Sequence, residues 1–338
     1  MAKKFVFNAP APTGSNEDRP QIDFEALSEY VVDTVGCSEK PEALIGVISG
    51  VIDLGLQAQD DAKMVWTGDA ASEAEELAKN DMQYFETLPN DQGVPTRYKR
   101  WAVKAQRCAA INVDFPSIMV NKGKFFDENG VGEDLPFRGL LNNEFGMKGV
   151  GKIVGKAYSL REQRNDDGSW SLKNNTILFK LGQATNQLVD GKFKPMHLGS
   201  LIGEAAMFNV HVFLNEHGGK KYLNEKMSFN GPVPKMMQGM IPVLDEKFMH
   251  VVNFTGDQDE AVLKTLRQSI INTMKMAEDF EGSDLQKALI ACGKIKEGEA
   301  APQAPQSDRP AQPQQAKPEA PKPQEPINFD SFDDDIPF

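Results

Sequence analysis

The chain predicts an α+β fold that is mainly β, and three observations carry that reading. Six segments are rich in β-branched and aromatic residues and are closed off by Gly, Asn and Asp. Two glycine-bearing turns, NDDG at 165–168 and EHGG at 216–219, sit where hairpins would need them, Gly supplying the positive φ of a tight turn. Helical periodicity is confined to three stretches around these segments.

In chain order, residues 23–35 read as a helix with Asp23 as its cap, because an Asp side chain accepts from the first free backbone N–H groups. A strand at 43–57, ALIGVISGVIDLGLQ, follows, and then a helix at 70–87. Strands are expected next at 109–120, 152–163, 169–181, 207–216 and 220–229. The stretch 257–292 sets Val262, Leu263, Leu266, Ile270, Met274 and Ala277 at helical spacing, stops near Gly282 and resumes as a shorter helix after Ser283. Five or six strands in hairpins with helices at the edges fit a small OB-fold-like Greek-key barrel better than a βαβ sheet. The organisation expected is a flexible arm at 1–22, an OB-fold-like body at 23–295, a linker at 296–327 and an acidic tip at 328–338.

The 338 residues are 40% hydrophobic and 25% charged, an ordinary globular balance. No run of 18 apolar residues occurs, and the opening MAKKFVFNAPAPTGSNEDRP lacks the apolar stretch of a secretory signal, so a cytoplasmic location is expected. Cys37, Cys108 and Cys292 stand far apart with no CxxC pair and read as free thiols. Lys3 and Lys4 in KKFVFNAPAP make a candidate self-association arm, against the plainer reading of a frayed terminus. Residues 300–326 contain eight prolines and no aromatic or branched aliphatic residue. Such a segment buries too little apolar area to offset ordering of about 1 to 2 kcal/mol per residue, and reads as a tether. At about 3.1 Å per residue it reaches on the order of 80 Å.

The net charge of −12 argues against nucleic acid only as an average. Residues 1–92 carry 6 basic and 18 acidic groups, while residues 93–235 carry 21 and 13. A basic middle between acidic ends is the asymmetry of a nucleic-acid surface with an acidic tail.

No catalytic centre is legible. GMKGVGKI at 146–153 matches a phosphate loop until position 153, where Ile stands in place of the Ser or Thr that holds Mg²⁺. His197, His211, His217 and His250 have no ligand spacing, and Asp166 with Asp167 reads as turn chemistry. The expectation is a protein that is not an enzyme and needs no metal or cofactor. What recurs instead is cations interleaved with rings. TRYKRWAVKAQR holds Arg97, Tyr98, Lys99, Arg100, Trp101, Lys104 and Arg107, and NKGKFF holds Lys122, Lys124 and Phe125. Residues 152–180 add Lys152, Lys156, Tyr158, Arg161, Arg164, Trp170 and Lys173. Unpaired bases stack on rings at about 1 to 3 kcal/mol each while Lys and Arg follow the phosphates, so a single-strand groove needs both types together. Tyr98, Trp101, Phe125 and Trp170 are the expected platforms.

The chain closes on Asp333, Asp334, Asp335, Ile336, Pro337 and Phe338. This DDDIPF behind a Pro- and Gln-rich tether resembles the C-terminal tip of bacterial single-stranded DNA-binding proteins. The resemblance implies a single-stranded DNA partner and docking of Phe338 on replication, recombination and repair proteins such as a polymerase, helicase, primase or nuclease. NVDFPSIMVNKGKFF and GKKYLNEKMSF are similar to the large OB-fold single-stranded DNA-binding proteins of tailed bacteriophages. Charge alone adds that the tip can lie in a cationic groove when DNA is absent. The rival readings are a strand-annealing recombination protein and a nuclease bearing the same tag.

Overall fold

The computed structural model describes residues 23–59, 61–80, 82–90, 92–126, 131–147, 151–155 and 157–298; for 143–147, 151–155 and 217 only the backbone is described. The elements are α1 Phe24–Val35, β1 Glu42–Gln57, β2 Ala62–Val65, α2 Ala70–Lys79, β3 Gln83–Pro89, β4 Pro95–Trp101 and β5 Gln106–Val120. Then come β6 Leu135–Leu140, β7 Asn143–Met147, β8 Gly151–Gly155, β9 Tyr158–Ser159, β10 Glu162–Arg164, β11 Trp170–Leu172 and α3 Ile177–Ala184. β12 Ala205–His217, β13 Lys220–Gly231, β14 His250–Val252, α4 Glu260–Thr265, α5 Gln268–Lys275 and α6 Asp284–Ala291 complete the set.

The architecture is mixed α+β and rich in antiparallel strands. Seven strands form one sheet in the order β13-β12-β1-β5-β6, with β14 alongside β1 in parallel and β9 on β5. β1 organises it: its first half pairs with β12 and its second with β5. Irregularities after Ile48 and Asp53 bend it between the two tasks. At the second bend Gly55 takes φ 77°, and its N–H donates to Asp53 Oδ1 at 2.9 Å. Gly50 has a different task, since any Cβ there would run into the His250 ring on β14.

Each face of the sheet buries its own core. On one side Ile48, Ile111, Val113, Phe115, Phe137, Phe208, Val210 and Val212 pack with Val31 and Val35 of α1 and Leu178 and Leu181 of α3. On the other, Ile52, Leu54, Cys108, Ala110 and Leu140 meet Leu263, Ile271, Met274 and Leu285 from the C-terminal helices. Burying each such side chain is worth about 1.5 to 3 kcal/mol. Among the described residues the ladder stays open. Its outermost strands approach where the Met227 side chain of β13 packs on Gly139 of β6 and where Asn142 N–H, just past β6, donates to Met227 O at 2.7 Å.

Several expected elements stand. Asp23 caps α1 by accepting from Ala26 N–H at 2.9 Å, and Gly36 at φ 74° ends it. The β12–β13 hairpin turns at Gly218 and Gly219, and β10–β11 at Gly168, all with positive φ. Others differ. The helix expected to 87 stops at Lys79, because Tyr84, Phe85 and Thr87 find a partner strand in β4. The strand expected at 169–181 ends at Leu172; Thr176 then caps α3, accepting from Phe179 N–H at 3.3 Å. Segment 152–163 is divided among β8, β9 and β10. The long helix at 257–292 breaks at Leu266, whose backbone is extended because its side chain is pulled into the second core.

Candidate nucleic-acid interface

β4 is the middle strand of a three-stranded sheet, β2-β4-β3, inserted between β1 and β5. Side chains on a strand alternate, so Arg97, Lys99 and Trp101 share one face and Tyr98 and Arg100 the other. α2 supplies acids to the first face. Glu73 takes Arg97 through both oxygens at 2.8 and 2.7 Å, and Glu76 takes Lys99 at 2.5 Å. On the second face Arg100 pairs with Glu86 of β3. The Arg97 guanidinium holds the Glu73 carboxyl below its ordinary value, and hydrogen bonds from Lys79 and Lys99 draw Glu76 down to about 2. The densest basic run in the sequence is thus a lattice of ion pairs.

Two of the expected rings are core. Tyr98 is buried beneath Lys63, whose Nζ lies 5.5 Å from the ring centroid. Tyr158 is buried and donates its hydroxyl to Asn142 O at 2.6 Å. Neither has a face to offer a base, which corrects the place given to both. Trp101, half-buried, ends β4 opposite Ala62 and Gln83. Lys104 is exposed in the loop leading to β5.

A second group does assemble. Leu160 N–H donates to Arg107 O at 2.8 Å and Lys173 N–H to Arg161 O at 2.9 Å. Arg164 lies directly across the β10–β11 ladder from Trp170. Three chain segments are thus joined through their backbones near the start of β5, linking Arg107, Arg161 and Lys173, with Arg164 and Trp170 further along the β10–β11 ladder. Trp170 is 54% exposed, and Arg164 makes no ion pair among the described residues. Arg107 is different, being held by Asp53 and by Asp279 at 2.5 Å. Burial pushes the Asp53 carboxyl above its ordinary value.

A third group surrounds the 3-10 turn Gly123–Phe125 that follows β5. Lys124 Nζ lies 3.4 Å from the Tyr30 centroid and 5.2 Å from that of Phe125, and the two rings are 5.4 Å apart. Phe24 and Phe126 meet edge to face at 6.5 Å, both more than half exposed. Phe24 and Tyr30 come from α1 and were missed, because a helix read as decoration gives no sign of meeting a turn far along the chain. Lys122 instead joins Glu225 at 3.4 Å, as Arg267 does at 2.7 Å; both cations line a cavity of about 350 Å³, as does the Asp114–Arg138 pair.

The Lys152 side chain, Lys156 and the tip residues from Asp333 to Phe338 lie outside the described residues, as do the arm at 1–22 and the tether. Among the described residues no cluster of three or more His, Cys, Asp or Glu could hold a metal ion, and no helix is long and apolar enough to cross a membrane. No family model, curated protein or solved structure matches the chain.

Proposed function

We propose that the protein coats single-stranded DNA without sequence preference, performs no chemistry on it, and recruits replication, recombination and repair proteins through residues 333–338. The observation that carries this reading is DDDIPF behind a Pro-, Gln- and Ala-rich tether. An acidic peptide with apolar Ile336 and Phe338 suits a cation-rimmed apolar pocket on a partner, the aspartates steering the encounter. Two groups of rings beside cations support the DNA half, Trp170 with Arg164 and Phe125 with Lys124. The order β13-β12-β1-β5-β6, with β13 reached again past β6 through Asn142, supports an OB-type barrel as the scaffold.

The test is a titration of fluorescent oligo-dT at several salt concentrations, with the full chain and with residues 328–338 removed. Both should bind, the shortened chain more tightly at low salt, with affinity falling as salt rises because phosphate contacts release counterions. Oligonucleotide that stays free of the shortened chain in dilute buffer would refute the proposal.

A further inference from the structure

The β12–β13 hairpin has one face in the first core and one in solvent. Register puts Val210 and Val212 inward, while His211, Phe213 and Asn215 of β12 stand outward beside Lys226, Asn224 and Tyr222 of β13. His211 and Phe213 are stacked, centroids 4.3 Å apart and planes at 26°. Lys226 Nζ lies 5.3 Å from the Phe213 centroid, and Tyr222 is 50% exposed. The hairpin's acids, Glu216 and Glu225, alternate onto the other side, so none of these six positions is acidic and none is aliphatic. In a chain with 49 acidic residues such a face is an unusual composition, and its rings, amides and amine are the groups that meet bases and phosphates.

We propose that this outward face is a stacking platform for unpaired bases, a second contact surface apart from the ring-and-cation groups around β5. The inference rests on the single-strand reading and assigns it a site. Outward residues two apart on a strand are about 6.6 Å apart, near twice the spacing of stacked bases, so a splayed strand advances about one nucleotide per outward residue. His211 Nε2 faces the Ser38 carbonyl at 3.1 Å and must donate to it, which leaves Nδ1 of the neutral ring as an acceptor for a base amine. Duplex DNA hides the flat faces of its bases and gains nothing from stacked rings.

The test compares the full chain with F213A, Y222A and the double variant, using oligo-dT, an abasic oligonucleotide of equal length and a duplex. Each substitution should weaken oligo-dT binding at least about fivefold, the double variant more, with abasic and duplex binding unchanged. Should wild type bind oligo-dT and the double variant bind it equally well, the platform is refuted and the single-strand reading survives. If wild type ignores oligo-dT in dilute salt, the single-strand reading fails and the platform with it. Photocrosslinking of wild type to 5-iododeoxyuridine oligonucleotide covers a variant that folds poorly: adducts at His211, Phe213 or Tyr222 support the platform, and adducts confined to other segments overturn it.

Discussion

The segments 96–107 and 161–173 both set Lys and Arg around a tryptophan, yet the fold puts them to different uses. In the first, α2 and β3 bring Glu73, Glu76 and Glu86 onto Arg97, Lys99 and Arg100, and Tyr98 is buried. In the second, Arg164 makes no ion pair among the described residues, although Asp166, Asp167 and Asp190 line the same cavity, and Trp170 is 54% exposed. A cation already paired holds the protein together, and binding phosphate there requires breaking that pair first. A cation left open costs the fold little and is available to a ligand. Which of the two a basic run becomes depends on acids elsewhere in the chain.

The largest effect should come from the most completely paired cation. Arg138 grips Asp114 at 2.7 and 2.8 Å and donates to Phe248 O at 2.9 Å, and Asp114 is only 1% exposed. Arg138→Ala strands a buried carboxylate, which costs about 3 kcal/mol of unfolding free energy; the arginine's partial exposure places it at the low end for such pairs. Urea denaturation measures this, and a loss under 1 kcal/mol would mean that the pair is not structural.

Trp170→Ala is the counterpart on the open side. It should cost about 1 to 3 kcal/mol of oligo-dT affinity while leaving the melting temperature unchanged. A smaller step separates the two segments by charge alone. Arg164→Gln should reduce the slope of log affinity against log salt by about 0.7, the value for one single-strand phosphate contact, whereas Lys99→Gln should leave the slope alone. Equal slopes for the two variants would erase the distinction between paired and open cations.

How far the sequence could be read follows the same division. Segments whose outcome depends on local pattern were legible: the apolar strand 43–57, the strands 207–216 and 220–229, the Asp23 cap, and the turns at Gly168 and Gly219. Segments whose outcome depends on a distant partner were not. Residues 83–89 are a strand because β4 lies beside them, and Ile177 starts a helix because Thr176 caps it and Leu178 and Leu181 have a core to enter. The sites divide likewise. Arg164 and Trp170 stay together across a short hairpin turn. Tyr30 meets Lys124 only through the tertiary fold, and β4's cations meet their acids in the same way. His211 reads as a lone structural group until the β12–β13 register sets it among other outward polar residues.

The mildest prediction concerns pH, and it probes the paired side of the contrast without a substitution. His250 is buried against Gly50 and Asn112, its Nδ1 donating to Phe248 O at 3.1 Å and its Nε2 lying 3.0 Å from the Asn112 amide. A carbonyl only accepts, so Nδ1 carries the proton and Nε2 accepts from Asn112, an arrangement that needs the neutral ring. Burial first, and the nearby Arg138 charge second, lower its pKa below the ordinary 6.5. The unfolded chain therefore takes up the proton more readily than the folded one, and stability present above pH 6.5 is lost as pH falls through that value toward the lower folded one. Melting temperature should thus decline between pH 7 and 5, and the decline should shrink in His250→Gln, which cannot titrate there. An equal decline in both proteins would show that His250 is not the group responsible; Glu73 and Glu76, with pKa values lowered from 4.5, lose their own contribution only at pH below that window.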